Sequence, residues 1–428
     1  MYQSTDYDYL LTSKKQLTAF NFFWIGFVIY TLVFTLFATS FTTNFKYVQV
    51  GQGFGAFMLV LAAVFLIHLK IENLYLKIVF TLYLIWLIGV VSRGFHLNYQ
   101  YLNNVLFDDY NGIFPYFAPL LLLFPQKITL YKRLFQVIVV LAVFSCLLDV
   151  VNFRALLSHD ISNAANRSVV EDLSRHLALP SAFILLTYSY QTNRIKYLAF
   201  LVVILNIAFA IIRARRGMLF SFVAPLALAS IIYFLESKKK IGIFFVVLFS
   251  MIIVTIYGMQ FFSESTFFSS FRSRVGEDTR SGVEECFYND MKRTDWIIGK
   301  GINGSYYCPN VDPNAKTNYR PIIETDYLNV ILKGGIISIS LLLLIAIPAA
   351  IKGMFYSSNN FGKAAGCWVF VWVLNLYPTT VVAFNMNFLL FWIAIAICYN
   401  KKIRQIPEEV LKTYFLKLAI VANNPTKY

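Results

Sequence analysis

Long apolar runs alternate with short polar connections along this chain, and most runs have the length of a bilayer crossing. A membrane-spanning α-helix needs about 20 apolar residues, and such stretches fall near 17–39, 53–69, 74–92, 113–125, 133–151, 176–192, 196–212, 217–235, 241–262, 327–351, 364–383 and 386–399. The pattern predicts an all-α polytopic membrane protein of about twelve transmembrane helices, forming a single membrane domain over residues 1–428. The fourth stretch is short and carries Pro115 and Pro119, which makes it the least regular. The first run is too long for a cleaved signal peptide and lacks a small-residue cleavage site.

One long polar interval, 263–325, interrupts the alternation. A second polar stretch, 152–174, carries His159, Asp160, Glu171 and Asp172 and predicts short interfacial helices. The tail 401–428 mixes basic residues with Val410, Leu411, Tyr414, Phe415, Leu416 and Ile420, the pattern of an amphipathic helix lying on the inner leaflet. No repeat relates the first six runs to the last six, which counts against transporter folds built from duplicated halves.

Composition agrees with the pattern. At 58% apolar, 18% aromatic and 14% charged residues, the chain is too greasy for a soluble globule. Its net charge of +15 is not spread over a solvated basic segment, so nucleic acid is excluded as a partner and the lipid bilayer is expected. Basic residues in short loops set orientation. With both termini in the cytoplasm, the inner loops are lysine-rich, including Lys14, Lys15, Lys70, Lys127, Lys238, Lys239, Lys240 and Lys352. Twelve of the fifteen arginines then face outward: Arg93, Arg154, Arg167, Arg175, Arg213, Arg215, Arg216, Arg272, Arg274, Arg280, Arg293 and Arg320. The guanidinium fork pairs two-toothed with phosphate or carboxylate, whereas Lys is a point charge. Cys286 and Cys308 share the long external loop, where either a disulfide or two free thiols fits the sequence.

The densest cation cluster is Arg213-Ala-Arg215-Arg216-Gly217, at a turn between two apolar runs. Arg is costly at membrane depth, so a cluster at its boundary requires an anionic partner; phosphate is the best geometric match. Arg175 and His176 begin the sixth run, and Glu324-Thr-Asp326-Tyr-Leu begins the tenth. All three elements are expected at the outer helix ends. Acids at that junction also suit ordinary helix caps. Gly299, Gly301 and Gly304 would let backbone amides approach a ligand, or form a plain hairpin; they lack the strand and alternating fold of a dinucleotide site. Asp108-Asp109 offers either a solvated acidic loop or paired carboxylates for a divalent cation.

Several of these segments resemble one family. Glu324-Thr-Asp-Tyr-Leu-Asn-Val-Ile-Leu-Lys-Gly-Gly resembles the signature with which O-antigen polymerases and O-antigen ligases return into the membrane after their large periplasmic loop. Ligases carry a histidine where this chain has Glu324. Arg216-Gly217 is similar to the family's Ser-Arg-Gly element with Arg215 in place of serine, Arg175-His-Leu-Ala-Leu-Pro-Ser to its Arg and Pro-Asn pattern, and 296–301 to its Trp and Gly-x-Gly segment. The resemblance implies a GT-C-like membrane glycosyltransferase in the bacterial inner membrane, working on undecaprenyl-pyrophosphate-linked glycan as donor and acceptor, with a chain-length regulator as accessory partner. It implies diphosphate held by Arg213, Arg215, Arg216, Arg175, Arg280 and Arg293, with Arg216 also catalytic, a carboxylate base in Glu324 or else Asp326, inversion at the anomeric carbon, and no metal or other cofactor. The missing histidine favours polymerase over ligase. A lipid-linked oligosaccharide flippase is the non-enzymatic alternative, but it would carry charges along a central path within the spans.

Overall fold

The computed structural model describes residues 12–38, 45–95, 98–157, 164–213, 215–236, 280–309 and 317–423. Among them helices and short irregular links make up the chain, with one two-residue antiparallel ladder, β1 (Tyr306–Tyr307) against β2 (Tyr319–Arg320), in which Tyr306 lies opposite Arg320. The helices, in order, are α1 (Lys14–Ala38), α2 (Phe45–Leu66), α3 (Leu74–Ser92), α4 (Tyr99–Phe107), α5 (Phe114–Phe117), α6 (Ile128–Val151), α7 (Phe153–Leu157), α8 (Ala164–Leu173), α9 (Ser181–Leu186), α10 (Asn193–Ile212) and α11 (Arg216–Glu236). After the long loop's first residues come α12 (Ser281–Asp290), α13 (Arg293–Ile298), α14 (Asp326–Phe355), α15 (Asn360–Asn375), α16 (Met386–Tyr399), α17 (Lys401–Gln405) and α18 (Glu408–Asn423).

Seven described helices, α1, α2, α3, α6, α10, α11 and α14, are long and apolar enough to cross a membrane. The other expected crossings take different forms. The run at 113–125 folds as α5 followed by a 3-10 turn to Leu123. The run at 176–192 breaks into a π-helical turn (Ser174–Ala178), α9 and a second 3-10 turn (Tyr188–Tyr190), with Pro180 entering the chain where a continuous helix would need its N–H. α15 stops at Asn375, and α16 has 14 residues, all buried. The run at 241–262 lies outside the described residues, as do His159, Asp160, Arg272 and Arg274.

Contacts divide the chain into two compact units, one of 1–37, 42–137 and 278–406, the other of 38–41, 138–277 and 407–428. In the first, α14 packs against α3, α13, α15 and α16. It crosses α15 where Gly353 meets Gly366: a methyl at Gly353 would stand 2.6 Å from the Gly366 Cα, so the crossing depends on small residues. Asparagine caps open four helices here. Asn73, Asn359, Asn385 and Asn400 accept the N–H of Leu76, Gly362, Phe388 and Ile403 at 2.8–3.1 Å, satisfying first-turn donors that have no helical partner.

The second unit packs α9, α10 and α11 together. α18 presents Leu411 and Phe415 inward, both buried, with the Phe415 ring 5.4 Å from that of Tyr190 and the Tyr190 hydroxyl donating to Glu408 at 2.7 Å. The apolar stripe of the tail, expected on a leaflet, therefore has protein against part of it, while Val410 remains exposed.

Candidate functional site

α14 changes direction at Gly335, whose φ of 69° is a left-handed conformation that side chains disfavour. Three successive carbonyls beside this break accept from outside the helix. Lys300 N–H donates to Leu332 at 2.7 Å, Gly301 N–H to Lys333 at 2.9 Å, and the Trp86 indole to Gly334 at 2.9 Å. The glycine-rich stretch 299–304 thus spends amides on the helix break, not on a ligand. Gly299 adopts φ 72° directly against Lys333 and Gly334, where a methyl would collide with backbone. Arg93 fastens the same loop: its guanidinium donates to the Ile298 carbonyl at 2.6 Å and lies 5.4 Å over the Trp86 ring. Burial lowers its pKa from the usual guanidinium value.

Beyond the break, the long loop builds a small core from Phe287, Met291, Tyr306, Cys308, Ile323, Leu328, Ile331 and Leu332. Cys286 and Cys308 form a disulfide with Cα atoms 5.2 Å apart, resolving the pairing in favour of a bridge. Trp296 packs edge-on to Phe287 and stacks on Tyr288. Burial pushes the Tyr306 phenol up to about 12, with Arg320 opposing and Glu324 reinforcing the shift.

The junction into α14 separates the two candidate bases. Asp326 is fully buried, and its Oδ2 accepts the N–H groups of Val381 and Val382 at 2.9 and 2.7 Å while Asn329 donates to Oδ1 at 3.3 Å. This carboxylate holds the non-helical link between α15 and α16. Glu324 is exposed, and Thr325 donates through its hydroxyl to Glu284. The Thr325 side chain does not cap α14. Arg280, named from sequence as a phosphate ligand, donates to the carbonyls of Tyr377 at 3.1 Å and Pro378 at 2.5 Å. Arg293 is exposed at the start of α13.

The second unit gathers the other arginines. α8 runs into the π-turn Ser174–Ala178, and π-turns frequently mark functional sites. Here Glu171 receives Arg215 at 2.8 Å and Arg175 at 3.5 Å. Arg213 is buried at the end of α10, and Arg216 is exposed at the start of α11. His176 is fully buried, its Nδ1 3.0 Å from the Asp172 carbonyl oxygen. Ser174 donates to Asn206 at 2.6 Å and ties the turn to α10. Arg213, Arg215 and Arg216 lie within four residues of one another, and Arg215 reaches Glu171. Compared with protein-family models, curated proteins and solved structures, the chain matches none.

At 108–109 the Asp108 side chain and the Asp109 main chain act in the fold of the first unit. Asp108 Oδ1 accepts Tyr110 and Asn111 N–H at 2.8 and 2.9 Å, and the Asp109 carbonyl accepts Phe384 N–H at 2.8 Å. Among the described residues no group of three His, Cys, Asp or Glu gathers as a metal site requires. The sequence placed Glu171 only within a polar stretch and did not single out Lys333. Glu171 stands four residues before Arg175, a spacing that places both on one helix face. Lys333 lies inside an apolar run, itself a warning of function; it is buried, donating to the Gly304 carbonyl at 2.8 Å and to Asn111 Oδ1 at 3.4 Å.

Proposed function

We propose that this protein is a membrane glycosyltransferase that polymerises oligosaccharide repeats carried on undecaprenyl pyrophosphate. The observation that carries the reading is the convergence of Arg175 and Arg215 on Glu171 at a π-turn beside two further arginines. Guanidiniums already oriented around one oxyanion are suited to receive another, the diphosphate of a lipid carrier. When the acceptor hydroxyl oxygen attacks the anomeric carbon, the bond from that carbon to the diphosphate oxygen breaks and the electron pair leaves with the diphosphate. Arg215, Arg175, Arg213 and Arg216 stabilise this growing charge. The hydroxyl proton goes to a carboxylate, for which the family resemblance names Glu324 of the first unit, and the displacement inverts the anomeric centre without a metal. Asp326 is the weaker candidate because its oxygens already accept backbone N–H groups.

In this reading the chain crosses the bacterial inner membrane about twelve times, keeps both termini in the cytoplasm and exposes the long loop to the oxidising periplasm, where Cys286–Cys308 is stable. Growing chains at the external face would meet a chain-length regulator. The test is a purified-protein assay in nanodiscs with a synthetic undecaprenyl-pyrophosphate-linked repeat. Polymer longer than one repeat is expected, with none from Arg215→Ala. Unchanged polymer length in that variant, or no polymer from the wild type, overturns the proposal.

A further inference from the structure

Within the first unit, a cavity of about 520 Å³ opens among α1, α2, α4 and the long loop. Its volume lies inside the roughly 300–1,000 Å³ of small-molecule sites. Five carboxamides line it, those of Gln52, Asn103, Asn104, Asn111 and Asn303, together with the single acid Asp108 and no basic side chain. That lining is wrong for a diphosphate, which requires cations, and its mixture of carboxamides with Phe34, Phe37, Val48, Val105 and Phe107 suits an amphipathic ligand better than a wholly apolar lipid tail. We infer that this cavity binds a short, uncharged saccharide, the glycan portion of the lipid-linked substrate; the assignment of that substrate rests on the glycosyltransferase reading above.

Gln52 is the strongest support. It sits within an apolar span, is 2% exposed, and its amide nitrogen has no hydrogen-bond partner. A buried, unpaired amide at that depth is costly unless something in the cavity accepts from it. A sugar hydroxyl does so, because it accepts and donates at once. Neighbouring groups are set for the same chemistry. Gln49 donates to Asn103 Oδ1 at 2.7 Å, which engages the oxygen and makes the amide nitrogen the end left for a ligand. Asp108 and Asn111 are fixed by their mutual hydrogen bond at 3.3 Å, and Lys333 holds Asn111 from behind. Phe34, Phe107 and Tyr101 add apolar faces on which the C–H side of a sugar ring packs.

The experiment uses the full chain in nanodiscs and two separate probes: an array of neutral, N-acetylated and acidic oligosaccharides without lipid, and inorganic pyrophosphate followed by calorimetry. The wild type is expected to retain a neutral or N-acetylated oligosaccharide, and Gln52→Met and Asn103→Leu to weaken it at least tenfold with pyrophosphate binding unchanged. Gln52→Met removes an unpaired donor and keeps the volume, so its melting temperature does not fall. Retention of no oligosaccharide, of acidic ones alone, or of the same one equally by wild type and both variants overturns the inference. Arg215→Ala separates the two claims: it should lose pyrophosphate and keep the oligosaccharide, and if it keeps both, the transferase reading fails while the saccharide cavity stands.

Discussion

The Arg215 guanidinium lies 2.8 Å from Glu171, a carboxylate that Arg175 also reaches from the π-turn at 3.5 Å. One acid therefore sets the direction of two cations from separate segments. Both pairs remain partly open to solvent, so the arrangement adds little to stability. In the proposed reading it holds two forks ready for an incoming oxyanion.

Arg215→Lys preserves charge and loses the planar fork. Polymerisation in nanodiscs should fall about 100-fold, the range for removing one donor aimed at developing negative charge. Full activity would mean that a point charge suffices and that two-toothed contact is not used.

Glu171→Gln removes the resident anion. Inorganic pyrophosphate should then bind several-fold tighter, roughly 3–10-fold, because a competing charge near the guanidiniums is gone. Calorimetry on the purified variant measures this, and unchanged or weaker binding would show that Glu171 positions the arginines more than it competes for them.

Glu324→Gln and Asp326→Asn should behave differently. Glu324 is exposed, so its replacement should lower the melting temperature far less than Asp326→Asn does and abolish polymer longer than a single repeat. Replacing Asp326 weakens charge-assisted hydrogen bonds to Val381 and Val382 and should cost about 1.5–3 kcal/mol in stability. A stable, inactive Asp326→Asn variant would transfer the role of base to Asp326.

Gly335→Ala places a methyl against the Ile297 carbonyl in a left-handed backbone conformation. The expected penalty is on the order of 3 kcal/mol or more, visible as loss of monodisperse protein in detergent. Gly89→Ala is the control, because a methyl there meets nothing within 4 Å.

Non-reducing peptide mass spectrometry should recover a crosslink between Cys286 and Cys308. Replacing both by serine should destabilise the loop core by about 3 kcal/mol, the scale for closing a chain segment of this length.

Much of the architecture was legible because length and hydropathy act locally. Apolar runs alone locate α1, α3, α10 and α11 to within a few residues. The run at 176–192 was misread as one helix because hydropathy is blind to the ladder that Pro180 interrupts. The glycines at 299, 301 and 304 suit either close approach to a ligand or a plain hairpin, and what the loop does approach, the carbonyls of Leu332 and Lys333, lies about thirty residues onward in the chain where no spacing rule reaches. Arg280 shows the same limit: the residue type suggests an anion, yet its donors go to the carbonyls of Tyr377 and Pro378. Arg175 and Arg215 are expected from sequence at the same outer helix ends, but that they share Glu171 is visible only in the fold.

The break at Gly335 has a mechanical consequence. Because Lys300 and Gly301 hydrogen-bond to the carbonyls just before the bend, the stretch 299–304 cannot lift away unless the helix gives up those bonds or follows it. Any force on the long loop would travel down this linkage to a point within α14, where the pivot is a single residue without a side chain.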